Sequence, residues 1–268
     1  MDISCLNHCM TDDERRVFER DGFLVVQDAL SPELTSDFNE MVDSIEPGVN
    51  CVGKHELFLE LIDLPTILPK VWDILSWNIH LYHTHYTPKP PLPPEERNEK
   101  KRLHWHQDSG RVTLDMESIP APRVSVKVGF FLSDLTEGGR GNFNVIPGSH
   151  LKDELEYPPD GISNPKNALE VLAAPGTAVI FDRRLWHDGG RNCSEMPRKA
   201  IFLGYSYRWF RVRDAMTVSH YMDKVDPIRR QLLGAHTGAA GLTSPTDEDV
   251  PLRGWLREHL GEEAVANM

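Results

Sequence analysis

The spacing of hydrophobic residues predicts helices and one strand in the first part of the chain. Thr11 and Glu14 form a capping-box pattern, which begins a helix that ends near Arg20. A strand is expected over residues 22–30, after which Ser31-Pro32 supplies an N-cap and a proline in the first helical turn. Hydrophobic residues then recur at helical spacing at Leu34, Phe38, Met41, Val42 and Ile45, and again at Leu68, Val71, Trp72 and Leu75. The second of these helices, over residues 66–76, should pack on the outside of a sheet.

From residue 77 onward the pattern changes to short runs that alternate between apolar and polar positions. These runs are rich in β-branched and aromatic residues, and clusters of Gly, Pro, Asn and Asp separate them. Many short strands with turns between them favour a sandwich or barrel over alternating βαβ units. The predicted strands cover residues 77–87, 103–108, 123–133, 142–147, 169–173, 177–182 and 198–208.

Two segments interrupt or follow the strands. Residues 88–102 are rich in proline and charge, which disfavours a sheet, and strand-like sequence resumes on both sides, so we predict a surface or lid loop. Residues 226–268 predict a helical extension with one helix near 248–260. A length of 268 residues fits one β-barrel-type domain with helical decoration, and we expect a single domain over residues 1–268.

Charge and cysteine content narrow the class of partner. The formal net charge of −12 disfavours a nucleic acid or an anionic membrane as the main partner, which leaves a small molecule as the expected substrate. The cysteines are scattered without a CxxC pair, and the first residues lack the basic and apolar pattern of an export signal. We therefore expect a cytoplasmic protein without a disulfide framework.

The tripeptide His106-Gln107-Asp108 suggests a metal site. On a strand, the imidazole and the carboxylate would point to the same face. His187, which follows the predicted strand 177–182, could supply a second imidazole from a neighbouring strand. Two histidines and one carboxylate on one side of the metal are typical of non-haem iron(II) oxygenases. The tripeptide alone is weak evidence, because such pairs are most often surface or core polar residues.

Arg198 strengthens the metal hypothesis. It lies eleven residues after His187, at the start of the predicted strand 198–208. A guanidinium there could hold a carboxylate through two parallel hydrogen bonds, as the distal end of 2-oxoglutarate would require. A cupin-like metalloenzyme that works without 2-oxoglutarate is the competing enzyme hypothesis, and Arg198 argues against it.

Three motifs, taken in order, resemble those of one known family. They are HWHQD, VIPGSH and the pattern H-x-x-G-x-N-x-x-x-x-x-R from His187 to Arg198. Over roughly residues 22–208 the chain resembles the phytanoyl-CoA dioxygenase-like group of iron(II)/2-oxoglutarate-dependent oxygenases. The resemblance implies a mainly β fold, a double-stranded β-helix or cupin-like jelly-roll with flanking helices. It also implies that iron(II), 2-oxoglutarate and dioxygen take part in the reaction.

The resemblance suggests further co-substrate contacts. Gln107 and His85 match positions that contact 2-oxoglutarate in the family, although Gln107 could equally turn away from the metal. Lys127 stands among valines where some members have an aromatic contact. A lysine there is costly to bury unless it meets an anion or water. It is therefore either a second cation near 2-oxoglutarate or a strand residue whose ammonium reaches solvent.

Other residues are candidates for substrate binding. Arg111 follows the metal motif and Arg208 shares strand parity with Arg198, so either could face the mouth of the site and meet an anionic group. The alternative is that they are solvated arginines paired with acidic residues. Arg211 and Arg213 extend this cluster. Trp105, Phe131 and Trp209 are candidate pocket walls, although aromatic residues at such places are more often part of the core.

These observations predict a dioxygenase that hydroxylates an unactivated C–H bond of a small molecule and releases succinate and carbon dioxide. An anionic compound and a natural-product intermediate are the candidate substrates. Relatives that halogenate replace the carboxylate at the position of Asp108, so its presence favours hydroxylation. Desaturation, cyclisation and epimerisation use the same ligands and stay open. An inactive jelly-roll binding protein is the alternative from another class, and the intact set of ligands argues against it.

Overall fold

The computed structural model describes residues 1–108, 110–237, 241–243 and 245–266. Residues 238–240, 244 and 267–268 of the predicted C-terminal extension lie outside the described residues. The α-helices are α1 (Asp12–Asp21), α2 (Pro32–Asp43), α3 (Leu59–Ile62), α4 (Leu68–Leu75), α5 (Gly110–Asp115), α6 (Pro227–Leu232) and α7 (Pro251–Leu260). Short 3-10 helices lie at Ile3–His8, Val52–Lys54, Glu56–Phe58, Ser149–Leu151, Ser219–Tyr221 and Glu262–Ala264.

The strands form two antiparallel sheets. They are β1 (Phe23–Val26), β2 (Gly48–Val49), β3 (Ile79–Lys89), β4 (Ser125–Phe131), β5 (Phe143–Val145), β6 (Leu169–Val171), β7 (Ala178–Asp182), β8 (His187–Gly189) and β9 (Arg198–Tyr207). The larger sheet has the order β1-β7-β4-β9-β3-β2, and the smaller has the order β6-β5-β8. Strands adjacent in space are mostly distant in sequence, as in a jelly-roll.

Local chemistry explains where the first helices begin and end. The Thr11 hydroxyl accepts a hydrogen bond from the Glu14 N–H, and the Glu14 carboxylate accepts one from the Thr11 N–H, which completes the predicted capping box. Helix α1 ends at Gly22, whose positive φ of 83° suits a residue without a Cβ. The Ser31 hydroxyl caps α2. The helices predicted in the first 76 residues are therefore confirmed.

Two hydrophobic clusters divide the interior. One lies between the larger sheet and the helices, and it contains Val128 and Leu203 from the sheet with Phe38 and Trp72 from α2 and α4. Leu256 of α7 joins the same cluster, so the C-terminal helices pack on this outer face. The other cluster lies between the two sheets and contains Phe131, Val145, Val179, Phe181 and Ala200. The predicted jelly-roll with flanking helices is confirmed.

The predicted strand at residues 103–108 is wrong. His106 makes one isolated bridge to His187, and the neighbouring backbone donors bind side chains instead of a ladder. The Leu103 N–H donates to Asn164 Oδ1 (3.0 Å), and the His104 N–H donates to Asp188 Oδ2 (3.0 Å). These interactions satisfy the backbone without a strand.

The remaining strand predictions are confirmed, with ends that differ by a few residues. The largest shortening is at residues 22–30, where only Phe23–Val26 is a strand. Strand β3 instead extends two residues beyond its predicted end, because Lys89 pairs with Arg198 of β9. The predicted loop at 88–102 therefore starts after Lys89. Among the described residues, no helix is long and apolar enough to cross a lipid bilayer.

Candidate active site

His106, Asp108 and His187 converge at the mouth between the two sheets. One candidate ligand atom from each residue lies within 4.8 Å of the other two. His187 is the first residue of β8, where it pairs with Val145 of β5, and it also bridges to His106. The three residues predicted to bind metal are therefore brought together, although the first two lie on an irregular segment and not on a strand.

Backbone hydrogen bonds fix the His106–Asp108 segment against its partners. The His106 N–H donates to the His187 carbonyl (3.1 Å), and the His187 N–H donates to the His106 carbonyl (3.0 Å). The Asp108 N–H donates to the Arg183 carbonyl (2.8 Å). The ligand side chains are thus held by a paired backbone on both sides of Gln107.

Both imidazoles are oriented for metal binding through Nε2. The Nδ1 atom of His106 lies 3.1 Å from the His104 carbonyl, and that of His187 lies 2.8 Å from the Leu185 carbonyl. A carbonyl only accepts, so Nδ1 carries the proton and Nε2 keeps its lone pair. Burial lowers the pKa of His187 to about 4, which keeps this imidazole neutral near pH 7.

Asp108 is a buried carboxylate in an ion pair. Its Oδ2 lies 2.7 Å from Lys127 Nζ and 3.8 Å from His187 Nε2. The Lys127 contact is an ion pair, because the geometry at Oδ2 is not that of a directed hydrogen bond. Burial alone would raise the pKa of Asp108, but the charge of Lys127 and the neighbouring imidazoles outweigh it and hold the pKa well below its usual range.

This donor set fits iron(II). Two imidazole nitrogens and one ionised carboxylate form the arrangement that leaves the opposite side of an octahedral ion open to further ligands. The buried Oδ2 of Asp108 lacks a directed hydrogen bond, as expected of an atom reserved for a metal. The Phe143 and Phe181 rings pack 5.3 Å and 4.9 Å from the His187 ring and shield it on one side.

A cavity of about 410 Å³ opens beside these ligands. Its polar lining includes Lys89, Lys127, Asp188 and Arg198, and its apolar lining includes Phe131 and Phe202. The cavity therefore combines the candidate metal ligands, several cations and aromatic walls in one pocket, as small-molecule sites do.

Arg198 is a buried cation that has no carboxylate partner among the described residues. It is 6% exposed, its Nε has no hydrogen-bond partner, and Nη1 makes one long hydrogen bond (3.4 Å) to the Thr87 carbonyl. Burial lowers the pKa of Arg198 to about 10, although the charge of Asp188 opposes that shift. An unpaired guanidinium in this setting is unfavourable unless an anion from outside the chain reaches it.

Glycines keep the space around this guanidinium open. A Cβ at Gly189 would lie 3.3 Å from Arg198 Nη2 and 3.7 Å from Lys89 Nζ. Gly141 has a φ of +78°, and a Cβ there would lie 3.3 Å from the Arg198 Cβ. Side chains at these positions would press on Arg198, so the two glycines leave room for a ligand.

Three of the other predicted residues line the cavity, namely His85, Lys127 and Phe131. Burial, together with the charges of His83 and Lys127, lowers the pKa of His85 to about 4. His85 is therefore neutral near pH 7. The lysine at position 127 does not reach solvent, because it is only 7% exposed.

Gln107 and Trp105 lie outside the cavity lining. The Gln107 amide nitrogen donates to the carbonyls of Arg184 (2.6 Å) and Lys152 (3.0 Å). The Trp105 indole N–H donates to Asn164 Oδ1 (3.0 Å). Both side chains fix the irregular segment that carries the candidate metal ligands, so the structure places them beside the site and not in it.

The predicted substrate arginines also lie elsewhere. Arg208 is buried, and its guanidinium makes two hydrogen bonds to Asp249 (2.8 and 3.0 Å) and one to the Ala235 carbonyl (3.2 Å). Arg111 is exposed on α5 and pairs with Asp115 (2.7 Å). Strand parity did not bring Arg208 to the mouth, because its guanidinium pairs with Asp249, which belongs to the C-terminal segment. The other candidates, Trp209, Arg211 and Arg213, are exposed.

Lys89 and Asp188 belong to the cavity but were not predicted. Lys89 was assigned to the loop, although it shares strand parity with His85, and that parity would have indicated its direction. Its ammonium donates a short hydrogen bond to the Gly189 carbonyl. Asp188 directly follows the candidate ligand His187, and it lines the same cavity.

Comparison with known proteins identifies the family. The sequence profile described as phytanoyl-CoA dioxygenase (PhyH) matches residues 49–200, which is more than half of the chain. An uncharacterized protein of Mycobacterium tuberculosis is 30% identical over 209 residues, which cover 71% of this chain and 73% of that protein. This chain belongs to the phytanoyl-CoA dioxygenase family. The resemblance inferred from its three motifs is therefore confirmed.

Further relatives agree with this assignment. The ectoine dioxygenase of Nocardia farcinica is 24% identical over 234 residues, which cover 70% of this chain and 75% of that enzyme. The iron-bound structure of HygX from Streptomyces hygroscopicus superposes with a TM-score of 0.62 at 17% identity and covers 76% of this chain and 89% of HygX. As a phytanoyl-CoA dioxygenase family member, the chain is a non-haem iron(II)/2-oxoglutarate-dependent oxygenase, and the predicted iron(II), 2-oxoglutarate and dioxygen are confirmed.

Proposed function

We propose that this oxygenase hydroxylates an unactivated C–H bond of a small molecule. In that reaction one oxygen atom of O2 enters the product alcohol and the other enters succinate, while 2-oxoglutarate loses carbon dioxide. His106, Asp108 and His187 are the proposed metal ligands, and Arg198 is the proposed partner of the distal carboxylate of 2-oxoglutarate. His85 is proposed as a neutral contact on the same cavity wall.

The observation that carries the proposal is the unpaired guanidinium of Arg198 in the same cavity as the three candidate ligands. A dicarboxylate that chelates a metal at one end and meets an arginine at the other would satisfy both features. Gly189 links them, because it follows His187 by two residues and a Cβ at its position would lie 3.3 Å from Arg198 Nη2. The fork of an arginine suits a carboxylate better than a lysine would.

The protein side of the mechanism concerns position and shielding. Iron(II), when bound, supplies the activation of dioxygen that is coupled to oxidation of 2-oxoglutarate. His106 and His187 present Nε2 lone pairs because their Nδ1 protons are held by backbone carbonyls. Asp108 supplies an anionic oxygen that is ionised at neutral pH. The rings of Phe143 and Phe181 exclude water from the back of His187.

Two observations support hydroxylation of a small molecule. The carboxylate of Asp108 is present and aimed into the site, whereas halogenating relatives lack it. The cavity of about 410 Å³ suits a small molecule together with the co-substrate, and a net charge of −12 disfavours polyanionic partners.

An anaerobic titration tests the co-substrate assignment. Iron(II) followed by 2-oxoglutarate should produce the weak visible charge-transfer band of the chelate in the wild-type protein. His187→Ala should abolish the band, since it removes one of the proposed ligands. His220→Ala, which changes an exposed histidine far from the ligand set in sequence, is the control and should keep the band. Wild-type protein that binds iron(II) without the band would refute the assignment.

Product mass tests the reaction type. Succinate release would first be screened against small molecules, and the accepted compound would then be analysed by accurate mass spectrometry. Hydroxylation adds one oxygen atom, desaturation or ring closure removes two hydrogen atoms, and epimerisation leaves the mass unchanged. A product without added oxygen would refute the proposed hydroxylation while leaving the co-substrate assignment intact.

A further inference from the structure

Lys127 is a buried ammonium whose anionic partner is a proposed metal ligand. It lies on β4 between Val126 and Val128 and is 7% exposed. Its Nζ lies 2.7 Å from Asp108 Oδ2, and it makes no other ion pair among the described residues. A buried ammonium requires such a partner, since burying an unpaired charge costs several kcal/mol of desolvation free energy.

Metal binding would compete with this ion pair. The Oδ2 atom that faces Lys127 is also the Asp108 oxygen that lies 3.8 Å from His187 Nε2, so it points toward the candidate metal position. A divalent ion held by Asp108 neutralises the carboxylate that now balances Lys127. The ammonium would then remain in the cavity without an anion from the protein.

The other charges of the site balance one another without Lys127. Near Arg198, the charges of Lys89 and Arg198 are opposed by Asp188 and, under the proposed function, by the distal carboxylate of 2-oxoglutarate. At the metal, the two positive charges of iron(II) would be opposed by Asp108 and by the second carboxylate of 2-oxoglutarate. The charges around Arg198 and those around the metal would then each sum to zero. The positive charge of Lys127 would have no counterpart.

Neighbouring groups do not supply the missing anion. His85 is neutral near pH 7. Asp214, whose charge acts on His85, is already used: Oδ1 pairs with His83 Nδ1 (2.6 Å). Its Oδ2 accepts the backbone N–H groups of Thr84 (2.6 Å) and of residue 50 (3.2 Å).

Strand register places Lys127 away from the co-substrate anchor. On β9, Lys127 is opposite Gly204, whereas Arg198 lies six residues earlier on the same strand. At the usual rise per residue the two backbone positions are roughly 20 Å apart. The proposed ligands lie between them, because Asp108 contacts Lys127, and a Cβ at Gly189, two residues after His187, would lie 3.3 Å from Arg198 Nη2. A 2-oxoglutarate that spans from the metal to Arg198 therefore extends away from Lys127.

We propose that Lys127 anchors an anionic group of the molecule that is oxidised, so that the substrate is a small organic anion. This inference rests on the proposed function. It reassigns Lys127 from the expected co-substrate contact to a substrate contact, and it makes Asp108 the temporary partner of the ammonium before metal binds.

The test compares matched acids and amides on the protein loaded anaerobically with iron(II) and 2-oxoglutarate. The probes are benzoate, cyclohexanecarboxylate, octanoate and indole-3-acetate, each paired with its primary amide. Binding is measured by calorimetry and by the change in the charge-transfer band. At least one acid should bind the wild-type protein about 10- to 100-fold more tightly than its amide, as expected for one charge-assisted hydrogen bond.

Variants assign this preference to Lys127. Lys127→Met should keep the charge-transfer band and lose the preference for the acid, and Lys127→Arg should retain the preference because it keeps the charge. Lys199→Met is the matched control, since Lys199 lies on β9 and pairs with Asp43 outside the cavity, and it should behave like the wild type.

The outcomes separate this inference from the proposed function. A wild-type protein without the band would refute the co-substrate assignment itself. If the wild type shows the band and Lys127→Met loses it, Lys127 is a co-substrate contact and the inference is wrong. Absence of binding by every acid, or equal binding of acids and amides, would also overturn it.

Discussion

Replacing Arg198 with methionine should change stability and co-substrate affinity in opposite directions. The guanidinium is buried without a carboxylate partner among the described residues. Burial lowers its pKa from 12.5 to about 10, which corresponds to about 3 kcal/mol of unfavourable free energy for the charged form. Methionine fills similar space without a charge. We therefore expect the free energy of unfolding of Arg198→Met without ligand to be unchanged or higher by as much as about 3 kcal/mol.

The same substitution should weaken 2-oxoglutarate binding strongly. Removal of one partner from a buried, hydrogen-bonded charge pair costs about 2–5 kcal/mol, or roughly a 30- to 5000-fold increase in Kd. Iron(II) affinity should be nearly unchanged, because Arg198 is not among the converging ligand atoms. Both affinities would be measured by the anaerobic spectral titration, and stability by urea unfolding of the unliganded protein.

Arg208→Met provides a matched control. Arg208, the residue that follows β9, is also a buried arginine, but its guanidinium makes two hydrogen bonds to Asp249. Breaking this pair should lower the free energy of unfolding by about 3 kcal/mol, and 2-oxoglutarate affinity of the folded variant should stay at the wild-type value. The reasoning is refuted if Arg198→Met is destabilised as much as Arg208→Met and still binds 2-oxoglutarate normally.

Two further substitutions test the surroundings of the site. Gly189→Ala places a Cβ 3.3 Å from Arg198 Nη2 and should weaken 2-oxoglutarate binding about tenfold. Gly110→Ala is the control, because the space around Gly110 is open, and it should bind 2-oxoglutarate like the wild type. Equal 2-oxoglutarate affinities of the two variants in the same titration would contradict this prediction. Burial lowers the pKa of His80 from 6.5 to about 4, so its contribution to stability is full above pH 6.5 and is lost as pH falls to about 4. The wild type should lose about 3 kcal/mol more than His80→Gln over that range in urea unfolding, and parallel curves would show that His80 contributes nothing.

Local sequence patterns predicted most elements of this fold. The capping box at Thr11, the Ser31 cap and the apolar stripe of α4 depend on residues within one or two turns, so they could be recognised without tertiary information. Residues 103–108 had the alternation of a strand, but the Asn164 and Asp188 side chains compete for their backbone donors. Those partners are distant in sequence, which is why local pattern failed there.

Part of the candidate site could also be predicted from local sequence, and part depended on tertiary structure. The motif around His106 and the spacing from His187 to Arg198 were sufficient to propose the ligands and the carboxylate anchor, because residue type alone limits their chemistry. The sequence did not decide whether Arg208 faces the mouth. Its carboxylate partner, Asp249, is 41 residues away and only the packed C-terminal segment brings the two together.

The sequence by itself determined the class of chemistry, because two imidazoles, one carboxylate and an arginine in this order belong to few kinds of site. Only the tertiary structure decided which cations are free to bind ligands. Arg208 is paired. Among the described residues, Arg198 is buried without a carboxylate partner and Lys127 pairs with Asp108 alone. The physical reason is that the cost of a buried charge depends on what surrounds it in space, and neighbours in space are not neighbours in sequence.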